Sequence, residues 1–124
     1  EITVGIACGR VLPTIEIIPQ SGNYDFAAKY ERSDTRYILD PPLRDQQCVE
    51  WALQLVDAMH VRDVARVDFI VDDNGPWFLE INTMPGFTDH SLLPMAAAHF
   101  NWDMSTLCSK LVASALSRSA TAEC

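Results

Sequence analysis

The stretch RVDFIVDDNGPWFLEIN, residues 66–82, constrains the fold more tightly than any other part of the chain. Two runs rich in β-branched and aromatic residues flank the turn sequence DDNG, a pattern that predicts a β-hairpin. Each arm nevertheless carries a carboxylate, Asp68 and Glu80, among large apolar residues. Removing water from an unpartnered carboxylate costs several kcal/mol, on the order of a strong hydrogen bond or more. What the two acids face therefore matters.

The turn allows two registers. With Asn74-Gly75 as a two-residue loop, Asp68 faces Ile81 and an acid lies among apolar side chains. With Asp73-Asn74-Gly75 as a three-residue loop and Gly75 in the left-handed bulge position, residue 72 pairs with 76. One face then carries Val67 opposite Ile81, Phe69 opposite Leu79 and Val71 opposite Trp77. The other carries Arg66 opposite Asn82, Asp68 opposite Glu80 and Ile70 opposite Phe78. A slip of one residue sends every side chain to the wrong face, so the apolar pattern selects the second register. Asp68 and Glu80 become cross-strand neighbours with Cβ atoms roughly 5 Å apart. Such a pair needs a shared proton, a bridging Arg66 or a divalent cation between its members. With Asn82 one pleat along, the donors are all oxygen, which suits Mg²⁺ or Mn²⁺ better than zinc. A solvated ion network of Arg66, Asp68 and Glu80 is the plainer alternative.

The rest of the chain frames this hairpin. At 124 residues it has room for one core but not two. Its hydrophobic share of 48%, mixed charge and lack of a long apolar run describe a globular protein rather than a disordered or membrane-spanning one. The net charge of -8, with no basic patch and only Lys29 and Lys110 as lysines, argues against nucleic acid or an anionic membrane as the main partner. Neither a secretory nor a lipidation signal is read. Cys8, Cys48, Cys108 and Cys124 lack zinc spacing and read as free thiols in a reducing cytoplasm.

Ahead of the hairpin, ITVGIA and VLPTIEII read as a strand pair turning at Cys8-Gly9-Arg10. YDFAAKYERSD reads as a loop, and residues 37–39 as a short extended piece. Val49, Ala52, Leu53, Val56 and Met59 recur at helical spacing in a helix capped by Asp45. TMPGFTDHS is a Pro/Gly-bearing loop, with Ser91 placed to cap the helix after it. Two helices, roughly 92–99 and 105–116, close the chain before a tail, SRSATAEC, expected to fray.

The run ARVDFIVDDNGPWFLEINTMPGFTDHSLLP, with R-x-D, L-E-x-N-T-x-P-G and H-S-L-x-P, closely resembles the C-terminal part of the ATP-grasp domain of D-alanine:D-alanine ligases. The resemblance extends upstream through EITVGI, LPTIEI and YDFAAKY to nearly the whole chain. It implies an α+β fold, a largely antiparallel sheet packed against helices, with residues 1–118 as the C-terminal part of the ATP-grasp domain and 119–124 as a frayed tail. It implies too that an N-terminal domain and the first half of the ATP-grasp domain are absent.

Carried over by position, the family pattern makes Asp68, Glu80 and Asn82 ligands of two Mg²⁺ or Mn²⁺ ions, with Glu80 able to bridge them. Arg66 becomes the arginine that stabilises acyl-phosphate and tetrahedral oxygens, Lys29 a phosphate contact and Glu1 the acid on the ATP ribose. Tyr30 matches an active-site loop tyrosine. Gly86 and Ser91-Leu92 match the part that receives the carboxylate of the second D-alanine. The implied parent is a cytoplasmic homodimer acting on ATP and D-alanine for peptidoglycan synthesis, and this chain alone is expected to be inactive. A different ATP-grasp carboxylate-amine ligase, such as a D-alanine:D-lactate type, or a non-catalytic self-associating module are the competing readings. One departure concerns Arg62-Asp63, which stand where the family leads one to expect a glycine-containing turn.

Overall fold

The computed structural model describes residues 1–19, 35–42 and 46–121, with side chains described to residue 118. In chain order the elements are strands β1 (Ile2–Ala7), β2 (Arg10–Val11), β3 (Ile15–Ile18) and β4 (Arg36–Leu39), helix α1 (Gln46–Ala58), strands β5 (Val64–Asp72) and β6 (Gly75–Asn82), and helices α2 (Leu92–His99) and α3 (Met104–Thr121). The pairings are antiparallel, in the order β4-β3-β1-β5-β6 with β2 also on β1. The expected α+β architecture is present.

Strand β1 lies at the centre because both of its faces are covered. All six of its residues are buried. On one face Ile2, Val4 and Ile6 join Val67 and Phe69 against Cys48 and Ala52 of α1. On the other, Ala7 joins Leu12, Ile15 and Ile17 against Leu92, Leu93, Ala96 and Ala97 of α2 and Leu107 of α3. Each large aliphatic side chain removed from water in this way stabilises the fold by about 1.5–3 kcal/mol. Helix α2 comes close because β1 has a glycine under it. A Cβ on Gly5 would stand 3.0 Å from Leu93 Cδ1 and 3.4 Å from Leu12 Cδ1.

The first strand pair is more divided than the sequence reading supposes. Cys8 (φ 50°) and Gly9 (φ 73°) form a two-residue reversal in which both residues are left-handed, a combination that matches the twist of the flanking strands. VLPTIEII then splits. Arg10 and Val11 pair with the end of β1, while Ile15 and Glu16 pair with its start. Pro13, with no N–H to give to a ladder, lies in the break between β2 and β3.

In α1 the stripe facing the sheet is Cys48 and Ala52, flanked by half-buried Val49, Leu55 and Val56. Leu53 and Met59, expected on that stripe, are 43% and 56% exposed. The buried pair is spaced i, i+4, so Leu53 is turned toward solvent. Asp45, the expected cap, lies outside the described residues. Helix α3 continues to Thr121, past the expected end near residue 116. Ser114 Oγ donates to Asp63 Oδ1 (2.7 Å), and the guanidinium of Arg118 also bonds that oxygen, tying this stretch to the sheet. Asp63 has φ 63°. It therefore takes the left-handed conformation for which a glycine was expected, one that a short polar side chain tolerates.

The β5–β6 register keeps the key pairing but not the turn. Arg66 pairs with Asn82, Val67 with Ile81 and Asp68 with Glu80, as expected. Beyond a bulge at Asp68/Phe69 the pairs become Phe69 with Phe78, Ile70 with Trp77, Val71 with Pro76 and Asp72 with Gly75. Leu79 is thus the extra residue of β6, and the turn narrows to Asp73-Asn74 rather than the three residues expected. Asp72 Oδ1 accepts the N–H of Asn74 (2.7 Å), which fixes this tighter turn, and Gly75 takes φ 115°. Phe78 consequently packs edge-on to Phe69, with centroids 6.2 Å apart, and Trp77 rather than Phe78 lies opposite Ile70.

Candidate functional site

Three adjacent strands set a row of side chains across one sheet face, Thr3 on β1, Asp68 on β5 and Glu80 on β6. The next row, one pleat along, is Gly5, Arg66 and Asn82. Period-2 alternation places both rows on the same side. This is the side covered by α2 further along β1, because Leu93 stands over Gly5.

Asp68 is 1% exposed, and its burial is compensated by donors on two sides. The hydroxyl of buried Thr3 donates to Oδ1. Arg66 Nε donates to Oδ1 at 3.1 Å and reaches Oδ2 at 3.3 Å, while Nη2 donates to Oδ2 at 2.9 Å. The same Nη2 lies 3.7 Å from Glu80 Oε1. Of the three ways of tolerating adjacent acids, Arg66 supplies one, lying against both carboxylates. Glu80 keeps 54% of its side chain exposed, so it is accessible to a ligand where Asp68 is anchored.

The donor set fits a hard divalent cation. Thr3 and Arg66 Nε meet Asp68 Oδ1, and Arg66 Nε and Nη2 meet Oδ2, so a cation would take positions on Asp68 that the guanidinium holds here. Asn82 Oδ1 accepts the N–H of Met84 at 3.0 Å, which orients the amide and leaves its second lone pair. Among the described residues no group of three or more His, Cys, Asp or Glu side chains is placed to hold a metal. Any ion at this face would therefore take two carboxylates and a neutral amide oxygen, with further oxygens from its ligand or water.

Apolar groups adjoin the acids. Ile70, two residues beyond Asp68, is 47% exposed, and Trp77 opposite it is 57% exposed. A recess of about 560 Å³, lined by Gln46, Glu50, Val71, Asp72 and Pro76 among others, lies at the hairpin turn on the α1 side. It does not include the acids.

The remaining expected residues divide. Glu1 is half-buried and exchanges backbone hydrogen bonds with Ile17, its carbonyl accepting at 2.7 Å, and alternation sets it on the side of Thr3. Ser91 occupies the N-cap position of α2, but its hydroxyl makes no capping bond. It instead accepts the N–H of Thr88 at 3.0 Å and meets Thr88 Oγ1 at 2.7 Å, which corrects the expectation of a side-chain cap. A Cβ on Gly86 would come within 2.8 Å of Ser91 Oγ, so glycine lets this loop fold against Ser91. The Leu92 side chain belongs to the core, so any ligand contact there falls to backbone. Lys29 and Tyr30 lie outside the described residues. Thr3 is missing from the sequence-derived set. Its signal is a polar residue alternating into the otherwise apolar strand ITVGIA.

Comparison with known proteins accounts for the same span. Residues 1–113 match the family model described as D-ala D-ala ligase C-terminus. The chain is 42% identical over 116 residues to the D-alanine–D-alanine ligase of Methylacidiphilum infernorum, covering 90% of this chain and 38% of that protein. It is 43% identical over 111 residues to the corresponding ligase of Dechloromonas aromatica, covering 86% of this chain and 37% of that one. A crystal structure of a D-alanine–D-alanine ligase from Bacillus anthracis complexed with ATP superimposes with TM-score 0.80 at 30% identity, over 99% of this chain and 41% of that chain. The chain thus spans about two-fifths of the length of the relatives it matches.

Proposed function

This chain belongs to the family of the D-ala D-ala ligase C-terminus, and on that premise we propose that it forms the cation- and phosphate-binding side of an ATP-dependent D-alanine–D-alanine ligase. The observation that carries the reading is the apposition of Asp68 and Glu80 across β5 and β6, with Asn82 on the same face and Arg66 between the acids. Asp68, Glu80 and Asn82 would hold the Mg²⁺ or Mn²⁺ ions. Bound there with ATP, the ions would neutralise the paired acids and draw charge from the phosphoryl group in transfer.

The chain's own side chains do the rest. Arg66 presents a planar fork that is already anchored through Asp68, and such a fork suits the oxygens of an acyl phosphate and of the tetrahedral species that follows. Glu1 would accept hydrogen bonds from the ribose hydroxyls, and Lys29 would meet the phosphates. Tyr30 would act from the same loop. The N-terminus of α2, beside Gly86 and Ser91-Leu92, would receive the carboxylate of the second D-alanine. In this reaction one D-alanine carboxylate takes the γ-phosphoryl group, and the amine of the second attacks the acyl carbon and expels phosphate. The dipeptide serves peptidoglycan synthesis.

The adenine clamp, the glycine-rich phosphate loop and the first D-alanine site would come from the remaining three-fifths of a protein of the relatives' length. We therefore infer that these 124 residues do not turn over alone; the family resemblance extends the proposal to a cytoplasmic dimer. Among the described residues no helix is long and apolar enough to cross a membrane.

The test is a chimera in which this chain replaces the matching C-terminal part of the Methylacidiphilum infernorum ligase. D-alanine-dependent phosphate release from ATP is expected, with loss in an Asp68→Ala version. A folded chimera that binds ATP yet releases no phosphate with D-alanine would refute the reading.

A further inference from the structure

Thr3 and Glu80 flank Asp68 from opposite sides, because β1 and β6 are the two neighbours of β5. Thr3 is 2% exposed and sits on a strand whose every residue is buried. Its hydroxyl is directed at Asp68 Oδ1. We infer that Thr3 is a positioning residue, which holds Asp68 Oδ1 so that Oδ2, the oxygen that shares Arg66 Nη2 with Glu80, stays turned toward Glu80 and a shared cation. This rests on the reading of Asp68, Glu80 and Asn82 as cation ligands.

Two physical points separate this role from simple satisfaction of a buried polar group. Arg66 is the other donor to Asp68, but its Nη2 is shared with Glu80, and in the proposed reaction it also faces phosphoryl oxygens. A side chain with three claims on it cannot fix the carboxylate plane at every stage. Thr3 is held by backbone pairing on both sides, with Ile15 and with Asp68 itself, so its hydroxyl is fixed by the sheet and serves Asp68 alone. Second, valine would fill the same volume on a central strand with equal or better strand propensity and no hydroxyl to desolvate. The hydroxyl at this position has its use in the one acceptor it meets. Groups that orient a metal ligand in this manner affect ion affinity well beyond their effect on packing.

The test compares the wild-type chain with Thr3→Val and Thr3→Ser by titration with Mn²⁺ followed by electron paramagnetic resonance, with circular dichroism to check the fold. Thr3→Val is expected to bind Mn²⁺ about 10-fold more weakly, and Thr3→Ser, which keeps the donor, within about 2-fold of wild type. Thr3→Cys, similar in size but a weak donor, replaces Thr3→Val if that variant does not fold, with the same expectation. If Asp68→Ala abolishes Mn²⁺ binding while the Thr3 variants bind like wild type, the positioning role is overturned and the cation site stands. If wild type itself binds no Mn²⁺, or Asp68→Ala leaves binding unchanged, the cation site falls and this inference with it.

Discussion

Replacing Arg66 with methionine removes the positive group between the paired acids while keeping much of the side chain's apolar length. Asp68 is 1% exposed and receives donation from Arg66 Nε and Nη2 at 2.9–3.3 Å. Opposite unit charges about 4 Å apart interact by about 4 kcal/mol at an effective dielectric constant near 20. Breaking a buried pair from one side costs about 3–5 kcal/mol. Thr3 still donates to Asp68, and Arg66 retains 13% exposure, so the lower end, about 3 kcal/mol, is expected. Urea unfolding followed by circular dichroism reads this directly. In a double-mutant cycle, adding Asp68→Asn to Arg66→Met should recover about 2 kcal/mol, since the stranded charge is gone. Millimolar Mg²⁺ should stabilise Arg66→Met more than wild type, because the cation takes the place the guanidinium held. An Arg66→Met cost below about 0.5 kcal/mol, or no recovery in the double variant, would refute the claim that Arg66 neutralises a buried acid.

Two further outcomes follow from the edges of the fold. Hydrogen bonds from Arg118 first, and then Ser114, hold the Asp63 carboxyl below its ordinary value of 3.8. The stability it adds is complete above that value and is lost as pH falls through the lower folded-state pKa. Asp63→Asn should therefore flatten the last part of the acid-unfolding curve, and an unchanged acid limb would count against the tether between α3 and the sheet. Gly9 has φ 73° and nothing within 4 Å of a built Cβ. Gly9→Ala thus isolates backbone strain and should destabilise the chain by about 1–2 kcal/mol in the same assay, whereas a neutral substitution would mean the Cys8-Gly9 turn is not left-handed.

The sequence was most legible where an apolar pattern and a polar exception coincide. Alternation in residues 66–71 and 78–82 located the hairpin and set Asp68 opposite Glu80, because any other pairing there buries an acid against aliphatic groups. It did not reveal the bulge at Leu79. Trp77, Phe78 and Leu79 are all apolar and all exposed by 45% or more, so pattern alone cannot tell which of them faces which side. The turn shortened for a local reason, the Asp72 carboxylate capping Asn74, and DDNG fits either length. Helical spacing leaves Cys48-Ala52 and Leu53 as neighbouring stripes, and only packing against Ile2, Val4 and Phe69 decides between them. The Ser91 hydroxyl went to the Thr88 loop instead of the helix end, a choice between two local partners that no spacing rule encodes. Thr3 carries no motif. Its meaning depends on a partner on another strand, 65 residues away.

Paramagnetic broadening by Mn²⁺ tests the central claim most directly, because it detects weak binding residue by residue in the isolated chain. Substoichiometric Mn²⁺ added to the isotopically labelled protein should first erase the amide resonances of Thr3, Arg66, Asp68, Glu80 and Asn82. The signals of the other acidic surface, Glu50, Asp72 and Asp73, should persist. Earlier loss at Glu50, Asp72 and Asp73, or uniform broadening along the chain, would contradict a cation site built from the two acids that face each other across β5 and β6.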